Sequence, residues 1–180
     1  MIYLFLAHGF EETEAIVPID LLRRAGKDVR TVTISHNSKV SGSHGILVTA
    51  DKRLGDISLD DMEMIILPGG MPGTLNLNFS DPLECVIDYA IKNNKYIGAI
   101  CAAPSVLGNK GLLEGKKVTC YPGFEDRLRG AEVVNESVVV DGKLITARGA
   151  GVATEFGLAL VEALCGKEKR DEIAKSICFE

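Results

Sequence analysis

Short apolar runs rich in Ile, Val and Leu recur along the chain. They lie at Ile2 to Ala7, Val29 to Ser35, Met64 to Leu67, Tyr96 to Ile100 and Leu144 to Ala147. Such runs suit parallel strands buried on both faces. Between them apolar residues fall at helical spacing, at Thr13 to Ala25, Leu83 to Asn93, Ala103 to Gly108, Gly151 to Leu164 and Lys167 to Cys178. Strand followed by helix, repeated, predicts an α/β protein with its helices layered on a mostly parallel sheet. Two more stretches, His44 to Ala50 and Val133 to Val140, predict small antiparallel pairs; the second is closed by the hairpin signal Asp141-Gly142. No repeat, low-complexity tract or linker interrupts the pattern, so residues 1–180 read as one domain.

Composition removes several functions from consideration. Lys and Arg number 20 against 25 Asp and Glu, a net charge of -5, and the densest basic stretch is Lys167 to Arg170. A nucleic-acid backbone is therefore not an expected partner. The absence of Trp also argues against a base-stacking platform. The opening apolar run has no basic flank and meets His8 and Gly9 too early for a signal peptide, and no apolar run is long enough to span a membrane. The expected compartment is the cytoplasm.

Five cysteines, at 85, 101, 120, 165 and 178, form no C-x-x-C pair and have no histidine at zinc-ligand spacing. Neither a disulfide framework nor a structural metal is expected. Cys165 and Cys178 fall on helical apolar stripes, Cys85 lies in a helix, and Cys120 lies in the strand-like Val118 to Tyr121. All four read as small core hydrophobes. Cys101 differs, because it follows a strand and precedes Ala102-Ala103-Pro104-Ser105, a helix start with Pro in its first turn. At such an elbow, unpaired helix N–H groups favour thiolate and make a nucleophile accessible. The plainer reading is a cysteine that simply ends a buried strand.

Two other strand ends carry candidate chemistry. Pro68-Gly69-Gly70-Met71-Pro72-Gly73 follows Met64 to Leu67. Its glycines are either turn residues or a source of free amides, with Gly70 and Ala102 able to form an oxyanion hole beside Cys101. After the first strand come Glu11, Glu12 and Glu14. On a helical wheel Glu14 shares a face with Val17, Pro18, Leu21, Leu22 and Ala25, whereas Glu12 points away with Arg23. Burial would raise the Glu14 pKa and keep it protonated beside the thiol.

G-A-I-C-A-A-P around Cys101, L-P-G-G-M-P-G at Leu67 to Gly73 and G-F-E-E-T-E-A-I-V-P-I-D at Gly9 to Asp20 together resemble the ThiJ/PfpI superfamily, and within it the Parkinson-disease protein deglycase branch. T-A-R-G-A-G at Thr146 to Gly151 and the helix at Glu155 to Leu164 extend the resemblance along the chain. It implies a three-layer flavodoxin-like sandwich, a homodimer, a reactive Cys101 hydrogen-bonded to protonated Glu14, and oxyanion amides at Gly70 and Ala102. The activities it implies are cofactor-free conversion of methylglyoxal or glyoxal, removal of glycation adducts, redox sensing and chaperoning. Tyr121 stands where the branch's best-known member has a histidine. His44 stands in place of an anion-pocket arginine, and Arg24 matches a second such arginine. These three are the implied substrate-binding residues.

Cysteine-type glutamine amidotransferases need a histidine and an acid late in the chain, but His8, His36 and His44 all precede the elbow. The protease branch has a histidine directly after its cysteine, where this chain has Ala102. No G-x-G-x-x-G or G-x-x-x-x-G-K motif supports nucleotide binding. The expected function is a cysteine-dependent enzyme on small reactive carbonyls, without cofactor or metal. The alternative is a redox-sensing or chaperone-like stress protein using the same cysteine.

Overall fold

The computed structural model describes residues 1–179. The first part of the chain forms β1 (Ile2–Leu6), α1 (Glu12–Arg24), β2 (Val29–Thr33), β3 (Lys39–Ser41), β4 (Leu47–Thr49), β5 (Lys52–Arg53) and β6 (Met64–Leu67). Next come α2 (Gly73–Asn78), α3 (Asp81–Lys92), β7 (Tyr96–Ile100) and α4 (Pro104–Asn109). The chain ends with β8 (Lys117–Val118), β9 (Glu132–Val133), β10 (Val138–Asp141), β11 (Leu144–Ala147), α5 (Ala153–Cys165) and α6 (Lys167–Ser176).

The main sheet runs in the order β10-β11-β7-β6-β1-β2-β5, parallel throughout except for β10. Successive side chains of β1 enter opposite cores. Ile2, Leu4 and Leu6 pack with α1 and α5, whereas Tyr3, Phe5 and Ala7 pack with α3 and α4. Both faces are covered, which gives the three layers of a flavodoxin-like sandwich and explains why β1, β6 and β7 carry no charged residue. The chain winds outward from β1 to β2 on one side and from β6 to β7 and β11 on the other. The switch point between β1 and β6 opens a crevice at the carboxyl ends of the strands, the usual ligand position in such sheets.

The two predicted antiparallel pairs are realised differently. Residues 44–50 belong to a hairpin whose first strand begins earlier, since β3 pairs with β4. Residues 133–140 do not pair with one another. β10 turns through Gly142 to pair with β11 and extends the main sheet, while β9 pairs in parallel with β8. Two cysteines expected in the core are exposed. In α3 the buried residues are Leu83, Val86, Ile87 and Ala90, which leaves Cys85 off the stripe, and Cys178 lies beyond the end of α6. Cys120 is buried and Cys165 half-buried.

Candidate active site

The first turn of α1, the loop after β6 and the elbow after β7 meet at the crevice. Cys101 has φ of 65°, in the left-handed region that non-glycine residues rarely occupy. Its N–H donates to Ala147 O at 2.8 Å and its carbonyl accepts from Tyr121 N at 2.8 Å, so neighbouring segments hold the strained backbone. The sequence pattern of an elbow nucleophile is thus matched by elbow geometry.

Glu14 is 1% exposed and reaches the elbow from α1. Its carboxylate accepts from Gly69 N at 2.8 Å and from the amide of Ala150, and it is hydrogen-bonded to the Cys101 thiol. Glycine at 69 makes the approach possible. A Cβ there would lie 2.7 Å from both Cys101 Cβ and Glu14 Oε2. Gly70, at φ of 89°, packs against the backbone of Gly9, Phe10 and Glu11, so the loops after β1 and β6 interlock. Glu11 caps α1, its side chain accepting from Glu14 N at 2.7 Å.

The charges in this pair oppose one another. Burial pushes the Glu14 carboxyl up to about 7, against hydrogen bonds from Cys101 and Gly69. Burial also pushes the Cys101 thiol up, and the charge of Glu14 and its hydrogen bond push it further, to about 12, against the amides of Ala102 and Gly70. The sequence predicts a lowered thiol pKa from the helix start alone, and this is corrected: the amides act in that direction but are outweighed. The two groups titrate as one unit. Once Glu14 holds the proton, its charge no longer opposes a thiolate, and its O–H can donate to Sγ.

Among the implied substrate-binding residues, Tyr121 is at the site. A side chain at Gly149 would lie 3.3 Å from the Tyr121 ring and 3.8 Å from Glu14 Oε1, so both groups border the same glycine. The ring is 51% exposed. Arg24 does not join them. It lies ten residues beyond Glu14, about 15 Å along the helix axis, and its Nε donates to Asp20 at 2.7 Å on an exposed face. The motif match placed Arg24 on the right helix but at its far end.

His44 is likewise drawn elsewhere. Its Nδ1 is 3.0 Å from Glu12 Oε2, and its backbone N–H donates to Glu12 Oε1 at 2.8 Å. Glu12 is 6% exposed rather than turned to solvent, because the β3–β4 hairpin folds over the start of α1. Gly9 N to Ser41 O and Ser43 N to Phe10 O, both 2.8 Å, fasten that hairpin. Burial alone would raise the Glu12 pKa, but bonds from the His44 ring and from the amides of Glu12, His44 and Ile46 hold it at about 2. Glu11, Glu12 and His44 offer metal-capable atoms within 4.8 Å of one another. Their donors are used internally, in the cap of α1 and the clasp on the hairpin. Sequence reasoning missed this clasp, Gly69 and the Ala150 amide, because each depends on segments distant along the chain.

Comparison with known proteins finds relatives of the chain. A profile of the DJ-1/PfpI family matches residues 1–163. Protein DJ-1 homolog B of Arabidopsis thaliana is 44% identical over 171 residues, covering 94% of this chain and 39% of the plant protein. The chain therefore spans about two fifths of that relative's length. The glutathione-independent glyoxalase DJR-1.2 of Caenorhabditis elegans is 34% identical over 171 residues, 94% of this chain and 90% of that protein. The solved structure of oxidized Toxoplasma gondii DJ-1 superposes with a TM-score of 0.95 at 36% identity, covering 99% of this chain and 97% of that one.

Proposed function

The chain belongs to the DJ-1/PfpI family, and on that premise we propose that it is a cysteine-dependent, cofactor-free enzyme converting small reactive carbonyls such as methylglyoxal, glyoxal or their adducts to hydroxy acids. The observation that carries this reading is the buried carboxyl–thiol pair of Glu14 and Cys101 at a strained elbow. A worm relative named as a glyoxalase supports the substrate class.

In the proposed reaction the Cys101 sulfur attacks the aldehyde carbon of methylglyoxal, and the carbonyl oxygen takes a proton to give a hemithioacetal. Glu14 then moves the C1 proton to C2 through an enediol, which leaves a thioester. Water cleaves the C–S bond, releasing lactate and the thiol, so the net change is addition of one water. The amides of Gly70 and Ala102 hold the oxyanions. Tyr121 lines the mouth, and its phenol, with a usual pKa near 10, is a poor base at neutral pH. Glu14 is therefore the only shuttle this proposal assigns.

A homodimer is part of the proposal. Ile16, Ile46 and Leu47 are 44%, 58% and 58% exposed on α1 and the adjacent hairpin, an apolar face suited to a second copy. Among the described residues no helix is long and apolar enough to cross a membrane.

The test is lactate formed, not aldehyde consumed, when the purified protein meets methylglyoxal, because any thiol consumes aldehyde reversibly. Lactate that disappears in Cys101→Ser supports the enzyme. No lactate from the parent, with Cys101 still oxidised by peroxide, favours the redox-sensing reading.

A further inference from the structure

Three hydrogen bonds close a ring around the carboxyl that faces Cys101. Glu11 N donates to Gly69 O at 2.9 Å, Gly69 N donates to Glu14 Oε2 at 2.8 Å, and Glu14 N donates to Glu11 Oε2 at 2.7 Å. Glu14 is thus held at both its backbone and its carboxyl, and Glu11 ties the first turn of α1 to the glycine loop. That loop also leans on Glu11, since a Cβ at Gly70 would lie 2.3 Å from Glu11 N.

The cap alone does not require a carboxylate, because a hydroxyl or an amide oxygen accepts the same bond from the third residue of a helix. What a carboxylate adds is charge. Glu11 is half-buried, and among the described residues no cation lies within ion-pairing distance of it. The His44 ring, on the hairpin, has a nitrogen within 4.8 Å of a Glu11 oxygen, but it is bound to Glu12 Oε2 at 3.0 Å. Since Glu12 stays ionised down to about 2, a protonated His44 cancels the charge of Glu12 and leaves that of Glu11. The other groups facing Glu14 are the Cys101 thiol on the elbow and the Tyr121 ring across Gly149, and neither brings a positive charge. The open N–H groups in the first turn of α1 favour an ionised Glu14. The whole negative charge of Glu11 opposes them and adds to the effect of burial.

We propose that Glu11 is a positioning residue of this site: through the cap it fixes Glu14 against Cys101, and through its charge it keeps a proton on Glu14 near neutral pH. The charge matters to the reaction proposed above, because a group that both accepts and gives a proton works best when it titrates near the working pH. The inference rests on that reaction for its purpose, but its test needs no turnover.

Carboxyl-carbon NMR of the full chain, labelled in its glutamates, follows Glu14 directly, and the resonance missing from Glu14→Gln identifies it. Glu11→Ser and Glu11→Gln keep an acceptor for the Glu14 amide and remove the charge, whereas Glu11→Asp keeps both. Two neutral variants are used so that one failing to fold still leaves a reading. Glu14 is expected to titrate at about 7 in the parent, lower by about half a unit or more in both neutral variants, and with the parent in Glu11→Asp. A merely structural cap would leave the neutral variants with the parent, and that result would overturn the proposal. A parent that titrates near the ordinary 4.5, or an Asp variant that falls as far as the neutral ones, would also overturn it. The expected titrations in a protein that forms no lactate would count against the reaction and uphold the role of Glu11.

Discussion

Because burial lifts the Glu14 carboxyl to about 7, this one residue links pH to both stability and chemistry. Its folded pKa lies above the ordinary 4.5, so its contribution to stability is complete below pH 4.5 and is lost as pH rises through about 7. At about 1.36 kcal/mol per unit the loss is about 3 kcal/mol. Urea midpoints for Glu14→Gln should therefore be flatter than the parent's between pH 4.5 and 7.5, and an unchanged slope would mean that Glu14 is not the group titrating there. The same substitution separates binding of the sulfur proton from catalysis. Removing the carboxylate removes two influences that raise the Cys101 pKa, so alkylation at pH 8 should quicken while lactate production falls by about 10² or more. Alkylation must be measured in a Cys85→Ser/Cys178→Ser background, because both thiols are exposed. Cys101 and Glu14 were legible in the sequence because elbow and wheel are local patterns. The fate of Glu12 was not, because a wheel describes one helix and the hairpin that buries Glu12 comes from some thirty residues further on. Tyr121→His tests the remaining residue. An imidazole titrates near the working pH, so lactate production should rise about tenfold or more, within the range that a well-placed base supplies.

The elements that position these residues are fastened by short, specific contacts rather than by their own propensities. The Glu12 clasp ties α1 to the β3–β4 hairpin, and Glu12→Ala would leave the amides of His44 and Ile46 without their acceptor. The expected cost is about 1–3 kcal/mol, seen as faster hydrogen exchange in residues 39–49 and a lower unfolding midpoint. His44→Ala should cost less, since its exposed ring is lost but its backbone N–H still reaches Glu12. The clasp also has a pH signature opposite to that of Glu14. With the Glu12 pKa held at about 2, its contribution is present above 4.5 and lost as pH falls toward 2. Four of the five long strands were legible as near-continuous apolar runs, whereas β2, with Arg30 and two threonines, rests on Val29 and Val32. The two-residue strands β5, β8 and β9 were not, because such short segments have no periodicity and take their conformation from the neighbours they pair with. β10 was read as pairing within its own segment, yet its turn at Asp141-Gly142 joins it to β11.

At the scale of the whole molecule, alternation along β1 and β6 divides the interior into two cores, and the strand order puts the elbow, the glycine loop and α1 at one switch point. That arrangement followed from β–α alternation, whereas the outer surface did not, since periodicity identifies the buried stripe of a helix and says little about its exposed side. α1 shows why this matters. Its inner stripe packs on α5, yet Ile16 stays 44% exposed, as Ile46 and Leu47 on the hairpin are at 58%. A stable dimer buries about 1,200–2,000 Å² in total, and a charged residue at its centre is costly unless paired. Ile16→Glu and Ile46→Glu should therefore each convert a dimeric parent to monomer in light scattering. Near-ultraviolet circular dichroism should stay native, since both side chains face outward. The net charge of -5 per chain adds a salt dependence, with dimer favoured as ionic strength screens repulsion between the copies. If both variants remain dimeric at low micromolar concentration, the apolar face of α1 is not the interface. A parent that is itself monomeric would remove the second copy from the proposal and leave the Cys101 site complete within one chain.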